Sequence, residues 1–365
     1  MNGKINITSD YNEKLTAPSR NISYDILRVW AMIMVFVCHL SQRITLPGSD
    51  RISYAEGSNG VWLFFVLSGY LGMESYNTCI KRGGESSSII LYYKKRLARI
   101  VPLYWVVIIF SIIIHHFYLK DVPYDTFYLG WLRYFLFLNG LLPSEESFWN
   151  NLNGYWTMPV FILFYILVPY LYKIIKRSER RARYLFMGAF LLNYIQKIIC
   201  KYYLEKIVGV SVSEDYYGIL FLHVMYSFCM GIWIYFVKKK DDSIEYKNIV
   251  GYSMSFVIII MGIYMDKVHW IWVGIAALTL LAFDNISTFM NQKVAKTIQI
   301  VSKYSFAIYL THMLCFSVID KICSSHNLNN CKFNMIWIIG GVTGTVVLSF
   351  ISQQIDDKIQ KKIRI

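Results

Sequence analysis

The sequence predicts an all-α polytopic membrane bundle of about ten transmembrane helices. Hydrophobic residues make up 56% of the chain and charged residues only 16%, and the mean hydropathy is +0.40. Apolar runs recur from Ile26 onwards, and their lengths are close to the ~20 residues needed to cross a bilayer. The sequence lacks the period-two alternation of a transmembrane β-barrel. This composition excludes an ordinary soluble globular domain.

The apolar segments also predict how the chain is organised. A polar amino-terminal segment at 1–23 precedes a single transmembrane domain at 24–353 and a basic tail at 354–365, and the first span serves as signal-anchor. The predicted loops are short except loop 120–155. Its aromatic stretch 127–142 predicts either a re-entrant segment or a surface helix. The predicted spans cover 26–44, 60–76, 100–119, 156–172, 184–199, 216–237, 248–265, 268–283, 304–319 and 333–352.

Basic residues are distributed unevenly between the two sides of this topology. The side that holds both termini carries 26 Lys and Arg residues and the other side carries 10, with Arg28 inside the first span. The positive-inside rule therefore predicts a multi-pass protein of the cell membrane with both termini in the cytoplasm. Because topology accounts for most of the +14 net charge, no nucleic-acid partner is expected.

The seven cysteines do not form a disulfide framework, because most of them lie in apolar spans. Cys323 and Cys331 share a predicted outer loop, where a disulfide and two free thiols are equally expected. The spacing of His and Cys residues does not match a metal site, so no metal is expected.

Arg28 and His39 lie within the apolar run of the first span, where ionisable side chains are costly and therefore default functional candidates. Eleven positions bring a helix back to within ~20° of the same face and separate the two side chains by ~16 Å. We expect Asp25 to pair with Arg28 one turn on. His39 lies deeper and is suited to act as a general base if it faces the bundle interior, although a structural role is common for a lone membrane histidine.

Two further segments hold polar candidates. Ser68 and Gly69 offer a small hydroxyl and close backbone approach among bulky residues, a pattern that is also common in helix packing. Arg96 and Arg99 lie one turn apart at the entry to the third span. Their geometry is suited to holding phosphate from the cytoplasmic side by bidentate hydrogen bonds.

Four segments together resemble the acyltransferase-3 family of integral-membrane acyltransferases. They are Arg28-x10-His39, Phe64-Phe65-x-x-Ser68-Gly69, Arg96-x-x-Arg99 followed by Pro102-Leu-Tyr104, and Ser305-Phe-Ala-Ile-Tyr309-Leu-Thr-His312. Each segment is weak alone, whereas their order, spacing and topological placement are specific. The resemblance extends over nearly the whole chain. A structural and an active role are equally expected for His312.

The fourth span departs from the pattern of many family members. They resemble Trp-Ser-Leu-x-x-Glu, whereas this chain begins Trp156-Thr-Met-Pro159 and has Phe161 at the position of the Glu. Pro159 resembles a second branch of the family, which has Trp-x-x-Pro there. This chain therefore has no carboxylate that could act at position 161.

The resemblance implies transfer of an acyl group, commonly acetyl, from cytoplasmic acyl-CoA to a hydroxyl of an extracytoplasmic polysaccharide or lipid-linked glycan. The implied catalytic residues are His39, Arg28 and Ser68. The implied donor-binding residues are Arg96, Arg99 and Tyr104. We expect His39 to deprotonate the acceptor, with a covalent acyl-histidine as the alternative. The bilayer is a partner, and a homo-oligomer is compatible with this arrangement.

A transporter or flippase for a glycan or lipid intermediate is the alternative from a different functional class. Arg28 and His39 would then line the substrate path. Such proteins commonly show inverted repeats and paired broken helices, which are not recognisable in this sequence. The Arg96 and Arg99 pair also suits a nucleotide better than a transported lipid.

The remaining histidines are expected to have other roles. His116-x4-Asp121 imitates a glycerolipid acyltransferase motif but falls at the outer end of the third span, away from cytoplasmic CoA. His115, His223 and His269 are expected to be packing or interface residues.

Overall fold

The computed structural model is a bundle of α-helices, and the described part of the chain contains no strands. The first 20 residues, which form most of the predicted amino-terminal segment, and the start of the predicted sixth span lie outside the described residues. The structure describes residues 21–44, 59–139, 147–150, 152–175, 178–199, 221–239, 244–282, 290–326 and 330–363.

The described part of the chain contains eleven α-helices. In chain order they are α1 (Ile22–Ser41), α2 (Gly60–Ile113), α3 (Phe127–Phe135), α4 (Ser147–Asn150), α5 (Thr157–Ile175), α6 (Glu179–Ile199), α7 (Phe221–Lys239), α8 (Ile244–Tyr264), α9 (Val268–Ala282), α10 (Gln292–Ser325) and α11 (Asn330–Ile363). A π-helical turn, Ile114–Leu119, extends α2.

Six helical segments in the described ranges are long and apolar enough to cross a membrane. Two shorter apolar helices, Ile249–Tyr264 and Val268–Ala282, accompany them. The all-helical membrane architecture is therefore confirmed, whereas about ten spans is not, and the sidedness of the termini stays a prediction. The six segments are Ile22–Ser41, Ser87–Leu119, Leu152–Ile175, Phe221–Lys239, Gln292–Ser325 and Asn334–Lys362.

Helix α1 defines the direction of the bundle. It begins at Asn21, whose side chain accepts a hydrogen bond from the Ser23 backbone N–H at 2.9 Å and so satisfies one of the helix's free donors. Its apolar residues Leu27, Ala31 and Val35 recur every four positions and are buried in the core. We call the end of the bundle where α1 begins the Asp25 end, and the opposite end the His39 end.

Helix α2 is a hairpin of two helical arms that reverses at Gly84. Gly84 has φ 70°, a conformation open to glycine but unfavourable for other residues. The second arm returns along the first, with Ser88 Oγ 3.3 Å from the Tyr76 hydroxyl and Arg96 donating to the Leu71 carbonyl. The helix of the third span thus begins near Ser87, before the predicted residue 100, and Pro102 lies inside it.

Helix α7 lies at the centre of the bundle and crosses the first arm of α2 at two glycines. A Cβ atom at Gly69 would meet the Phe228 carbonyl oxygen, and one at Gly231 would meet the Val66 carbonyl oxygen. Backbones can approach this closely only where both helices carry small residues. The crossing fixes the position of the Phe64–Ser68 segment against α7.

Substitution of Gly231 by alanine is expected to destabilise the fold by about 1–3 kcal/mol, because the Val66 carbonyl that a new Cβ would meet is backbone and cannot turn aside. Thermal unfolding of the purified protein in detergent measures the effect. Gly188→Ala is the matched control, since a Cβ there meets nothing within 4 Å among the described residues and alanine favours the helix. Equal Tm values for the Gly231 variant and the wild type would contradict the close crossing.

The first part of loop 120–155, which the structure describes up to residue 139, folds back along α2. The Phe127 ring lies 5.3 Å from His116, and Trp105 Nε1 donates to the Phe135 carbonyl at 3.2 Å. Eight positions separate Phe127 from Phe135, so α3 extends for ~12 Å beside the last turns of α2. The re-entrant segment and the surface helix both stay predictions.

Candidate active site

Two histidines from distant parts of the sequence meet at the His39 end. The rings of His39 on α1 and His312 on α10 lie 5.3 Å apart between centroids, at 31°. His312 is buried and His39 is half-buried. The rings of Phe36 and Phe316 flank His312 at 6.2 and 5.7 Å. We call His39 and His312 the histidine pair.

Hydrogen bonds indicate the same tautomer for both rings. The Nδ1 of His39 lies 3.3 Å from Gln42 Oε1, and the Nδ1 of His312 lies 2.7 Å from the Tyr309 carbonyl oxygen. Since both partners accept, each Nδ1 carries the proton and each Nε2 keeps its lone pair. The Nε2 of His312 is buried without a hydrogen-bond partner in the described part of the chain.

Three of the four segments of the family resemblance meet at or beside this pair. Ser305, Tyr309 and His312 occupy one face of α10 at spacings of four and three, and all are buried. The Phe64 ring of α2 lies 5.7 Å from the Tyr309 ring, and the Tyr309 hydroxyl is 2.8 Å from Thr157 Oγ1 at the start of α5.

Arg43 lies immediately beside the histidine pair. Its Nη1 donates to the His39 carbonyl at 2.9 Å, and its Nε donates to Asp320 Oδ2 at 3.3 Å. The guanidinium also lies over the rings of Phe316 and Trp337, at 5.4 and 5.5 Å from their centroids. A fixed positive charge is therefore held next to the two imidazoles.

A buried ion pair lies at the Asp25 end of α1. Asp25 is fully buried, lies 3.2 Å from Arg28 Nη1 and accepts a hydrogen bond from Ser302 Oγ at 2.6 Å. The predicted pairing of Asp25 with Arg28 is confirmed. A buried carboxylate needs such partners, and in return it orients the guanidinium.

One carboxylate at this end interacts with cations from three helices. Glu74 on α2 interacts electrostatically with Arg28 of α1, Arg96 of α2, and Lys238 and Lys239 of α7. We call these four cations the basic cluster. It carries an excess of positive charge at a helix-bundle end and is suited to a polyanionic ligand.

The predicted donor-site residues occupy different environments. Arg96 lies between the rings of Tyr92 and Tyr165, at 5.6 and 5.0 Å from their centroids, whereas Arg99, one turn on, is exposed. Tyr104 is buried and lies about 12 Å from Arg96 along α2. Its ring stacks on the Phe137 ring, with 4.8 Å between the centroids. The structure thus brings Arg96 close to Arg28, but it places Tyr104 apart from both arginines.

Ser68 lies between the two ends of the candidate site. It follows Phe64, which contacts Tyr309, by one helical turn and precedes Leu71, whose carbonyl accepts from Arg96. Ser68 is half-buried. Its depth is therefore intermediate between the histidine pair and the basic cluster.

His115, and not His116, forms the pair with Asp121. Its Nδ1 lies 2.9 Å from Asp121 Oδ1, and its Nε2 lies 3.2 Å from the Asn153 amide nitrogen. Because both ring nitrogens have partners, this arrangement fits a structural clamp for the outer loop, as expected for a packing residue. Within the described ranges, no cluster of three or more His, Cys, Asp or Glu residues could hold a metal ion.

Sequence comparison identifies the family. The chain matches the acyltransferase-3 family model, described as an acyltransferase domain, over residues 21–353, nearly its whole length. The chain belongs to the acyltransferase-3 family. Comparisons with curated proteins and with solved structures give no match. The family and the apolar helices together make this protein a membrane acyltransferase.

Sequence reasoning about the acyltransferase missed several residues of the site. They are Lys238, Lys239 and Arg43, which were not among the predicted site residues. The useful signal for Arg43 was its spacing, since it follows His39 by one helical turn. The position of Lys238 beside Arg28 and Arg96 depends on the fold of three separate helices.

Proposed function

We propose that this acyltransferase transfers an acyl group, with acetyl the expected one, from cytoplasmic acyl-CoA to a hydroxyl of an extracytoplasmic polysaccharide or lipid-linked glycan. The observation that carries the proposal is the histidine pair at one end of α1 and the basic cluster at the other. The two lie ~16 Å apart along the helix, measured from Arg28 to His39. A donor with an anionic head and a long, thin arm fits this separation.

His39 is the general base in this mechanism. Its Nδ1–H is engaged by Gln42, so Nε2 is the nitrogen that can accept a proton. The acceptor hydroxyl transfers its proton to Nε2 while its oxygen attacks the thioester carbonyl carbon. The C–S bond then breaks, and the CoA thiolate recovers the proton from the imidazolium. His312 packs against the His39 ring and limits its orientations.

The basic cluster holds the phosphates of the donor. Arg28, Lys238 and Lys239 approach from two helices, and Arg99 extends the positive surface on the second arm of α2. Arginine and lysine bind phosphate through charge-assisted hydrogen bonds. Ser68, at intermediate depth, is placed to contact the pantetheine arm. Tyr104 lies too far from this cluster to touch the phosphates.

Arg43→Gln is expected to lower kcat about tenfold and to change the KM for acyl-CoA and the KM for the acceptor little. The reason is that the guanidinium beside the histidine pair stabilises negative charge that develops on the thioester oxygen. Steady-state kinetics with varied acyl-CoA and acceptor separates these parameters. Asp320→Asn is the matched control: it removes the ion-pair partner but retains the cation near His39. Equal losses of kcat in both variants would contradict a direct role for Arg43.

Purified protein in proteoliposomes tests the proposed function. With acetyl-CoA labelled in the acetyl group, we expect label to pass to a glycan acceptor and CoA to be released in equal amounts. The inserted orientation, determined by protease protection, should show that donor must be present on the Asp25 side. Glycan or lipid flux across the vesicle without loss of acetyl from CoA would instead support a transporter and would overturn the proposal.

A further inference from the structure

Glu74 on α2 is a half-buried carboxylate that the proposed mechanism does not use. It follows Tyr70 and Leu71 by one helical turn on the same arm, so the three residues share a face. The Nζ of Lys238 lies 5.5 Å from the centroid of the Tyr70 ring, and Arg96 donates to the Leu71 carbonyl. The helix geometry thus places the carboxylate beside the basic cluster, in agreement with its electrostatic interaction with all four cations.

Glu74 does not form a close pair with any of these cations. Within the part of the chain that the structure describes, its carboxylate makes no hydrogen bond and no ion pair. Two of the cations are held by other groups, since Arg28 pairs with Asp25 at 3.2 Å and Lys238 donates to the Leu280 carbonyl at 2.8 Å. The carboxylate therefore lowers the positive potential of the basic cluster through space, without closing the cluster by direct contact.

A fixed negative charge in a phosphate site opposes the binding of its ligand. In the empty protein Glu74 offsets the repulsion among four like charges, whereas in the occupied site it repels the phosphates of the donor. A carboxylate that accepted hydrogen bonds from the donor would instead strengthen binding. The two roles differ in the sign of the change in affinity when the charge is removed.

We propose that Glu74 is a built-in counter-ion of the donor site, which weakens the binding of acyl-CoA and of the product CoA by a similar factor and so favours release of CoA. This inference rests on the proposed function, in which the basic cluster holds the donor phosphates. Acyl-CoA and CoA carry the same phosphates, so repulsion at this end of the bundle changes both affinities alike. Because differences in affinity at one site arise mainly from dissociation rates, the product leaves faster than it would without the carboxylate.

Equilibrium binding of CoA to the purified full-length protein in detergent tests the inference, with isothermal titration calorimetry at low and at high salt. Glu74→Gln is expected to lower the Kd for CoA about 5–20-fold at low salt, and the gain should shrink at high salt because ions screen the repulsion. Glu74→Asp retains the charge and should bind CoA as the wild type does. Glu85→Gln is the matched control, since Glu85 is exposed on α2 beside the reversal at Gly84, and it should also bind as the wild type does.

Thermal unfolding gives a second measurement, which remains informative if Glu74→Gln is less stable. Loss of the carboxylate leaves the repulsion among the four cations without its offset, so the Tm without ligand should fall. A ligand that binds the folded variant more tightly stabilises it more, so CoA should raise the Tm of the variant by more than it raises that of the wild type.

Four results would overturn the inference. Weaker binding of CoA by Glu74→Gln would make Glu74 a direct contact of the donor, and unchanged binding would remove it from the donor site. Equally tighter binding by Glu85→Gln would show a general effect of surface charge. These three results leave the proposed function intact. If the wild type bound no CoA, the proposed function and the inference would fail together.

Discussion

His39→Ala should lower kcat for acyl transfer by about 10²–10⁴-fold, the range that a positioned general base contributes. The lone pair of His39 Nε2 is the proton acceptor in the proposed mechanism, and alanine removes it. Binding of acyl-CoA should remain, because the basic cluster lies at the other end of the bundle. Transfer from labelled acetyl-CoA to acceptor, measured with saturating donor, quantifies the loss.

Two controls separate catalysis from folding. His39→Gln retains a side chain of similar size beside His312 and should be as inactive as alanine while its thermal unfolding stays close to that of the wild type. His326→Ala removes an exposed histidine at the same end of the bundle and should be fully active. Activity within tenfold of the wild type in the folded His39→Ala protein would rule out the proposed base.

The same variants test the covalent alternative. If His39 formed an acyl-histidine, rapid quenching of the wild type with labelled acetyl-CoA and no acceptor would leave label on the protein, and His39→Ala would remove it. Direct transfer predicts no labelled protein in either sample. His312→Ala then shows whether the partner ring also acts, since a purely orienting role for His312 predicts a smaller loss of kcat than removal of His39.

Lys239→Glu should raise the KM for acyl-CoA about 10–100-fold and leave kcat within about threefold, because it replaces one cation of the basic cluster with an anion near the donor phosphates. Lys239 suits this test because it is exposed, with its Nζ 5.9 Å from the Tyr235 ring. Initial rates over a range of acyl-CoA concentrations measure the change. The wild-type KM should also rise with ionic strength, and this dependence should be weaker in the variant, which retains the other three cations of the cluster.

Lys173→Glu is the matched control for this prediction. Lys173 is exposed in the last turn of α5 at the same end of the bundle, but it is not among the four cations that interact with Glu74. An equal KM increase in both variants would show a general effect of surface charge. A normal KM in Lys239→Glu would exclude the basic cluster as the phosphate site.

Much of the fold was predictable because helices in a membrane are local structures. Each helix bonds its own backbone, so an apolar run of sufficient length predicts a helix without knowledge of its neighbours. The helix of the third span begins earlier than the predicted membrane entry. Hydropathy marks where the chain enters hydrocarbon, near residue 100, whereas the helix itself continues back to Ser87 through basic residues that favour helix.

The sequence by itself determined the membrane character of the chain, the family resemblance, and the alignment of Arg28 with His39, since all three follow from composition or from the geometry of a single helix. The tertiary structure alone decided which residues meet across helices. The contact of His39 with His312 joins residues 273 positions apart. Lys238 and Arg28, which both interact electrostatically with Glu74, also come from distant parts of the sequence. Such contacts depend on helix crossings like that at Gly231, where two backbones approach closely. The periodicity of a single helix shows which face is buried, but it does not specify which helix packs against that face.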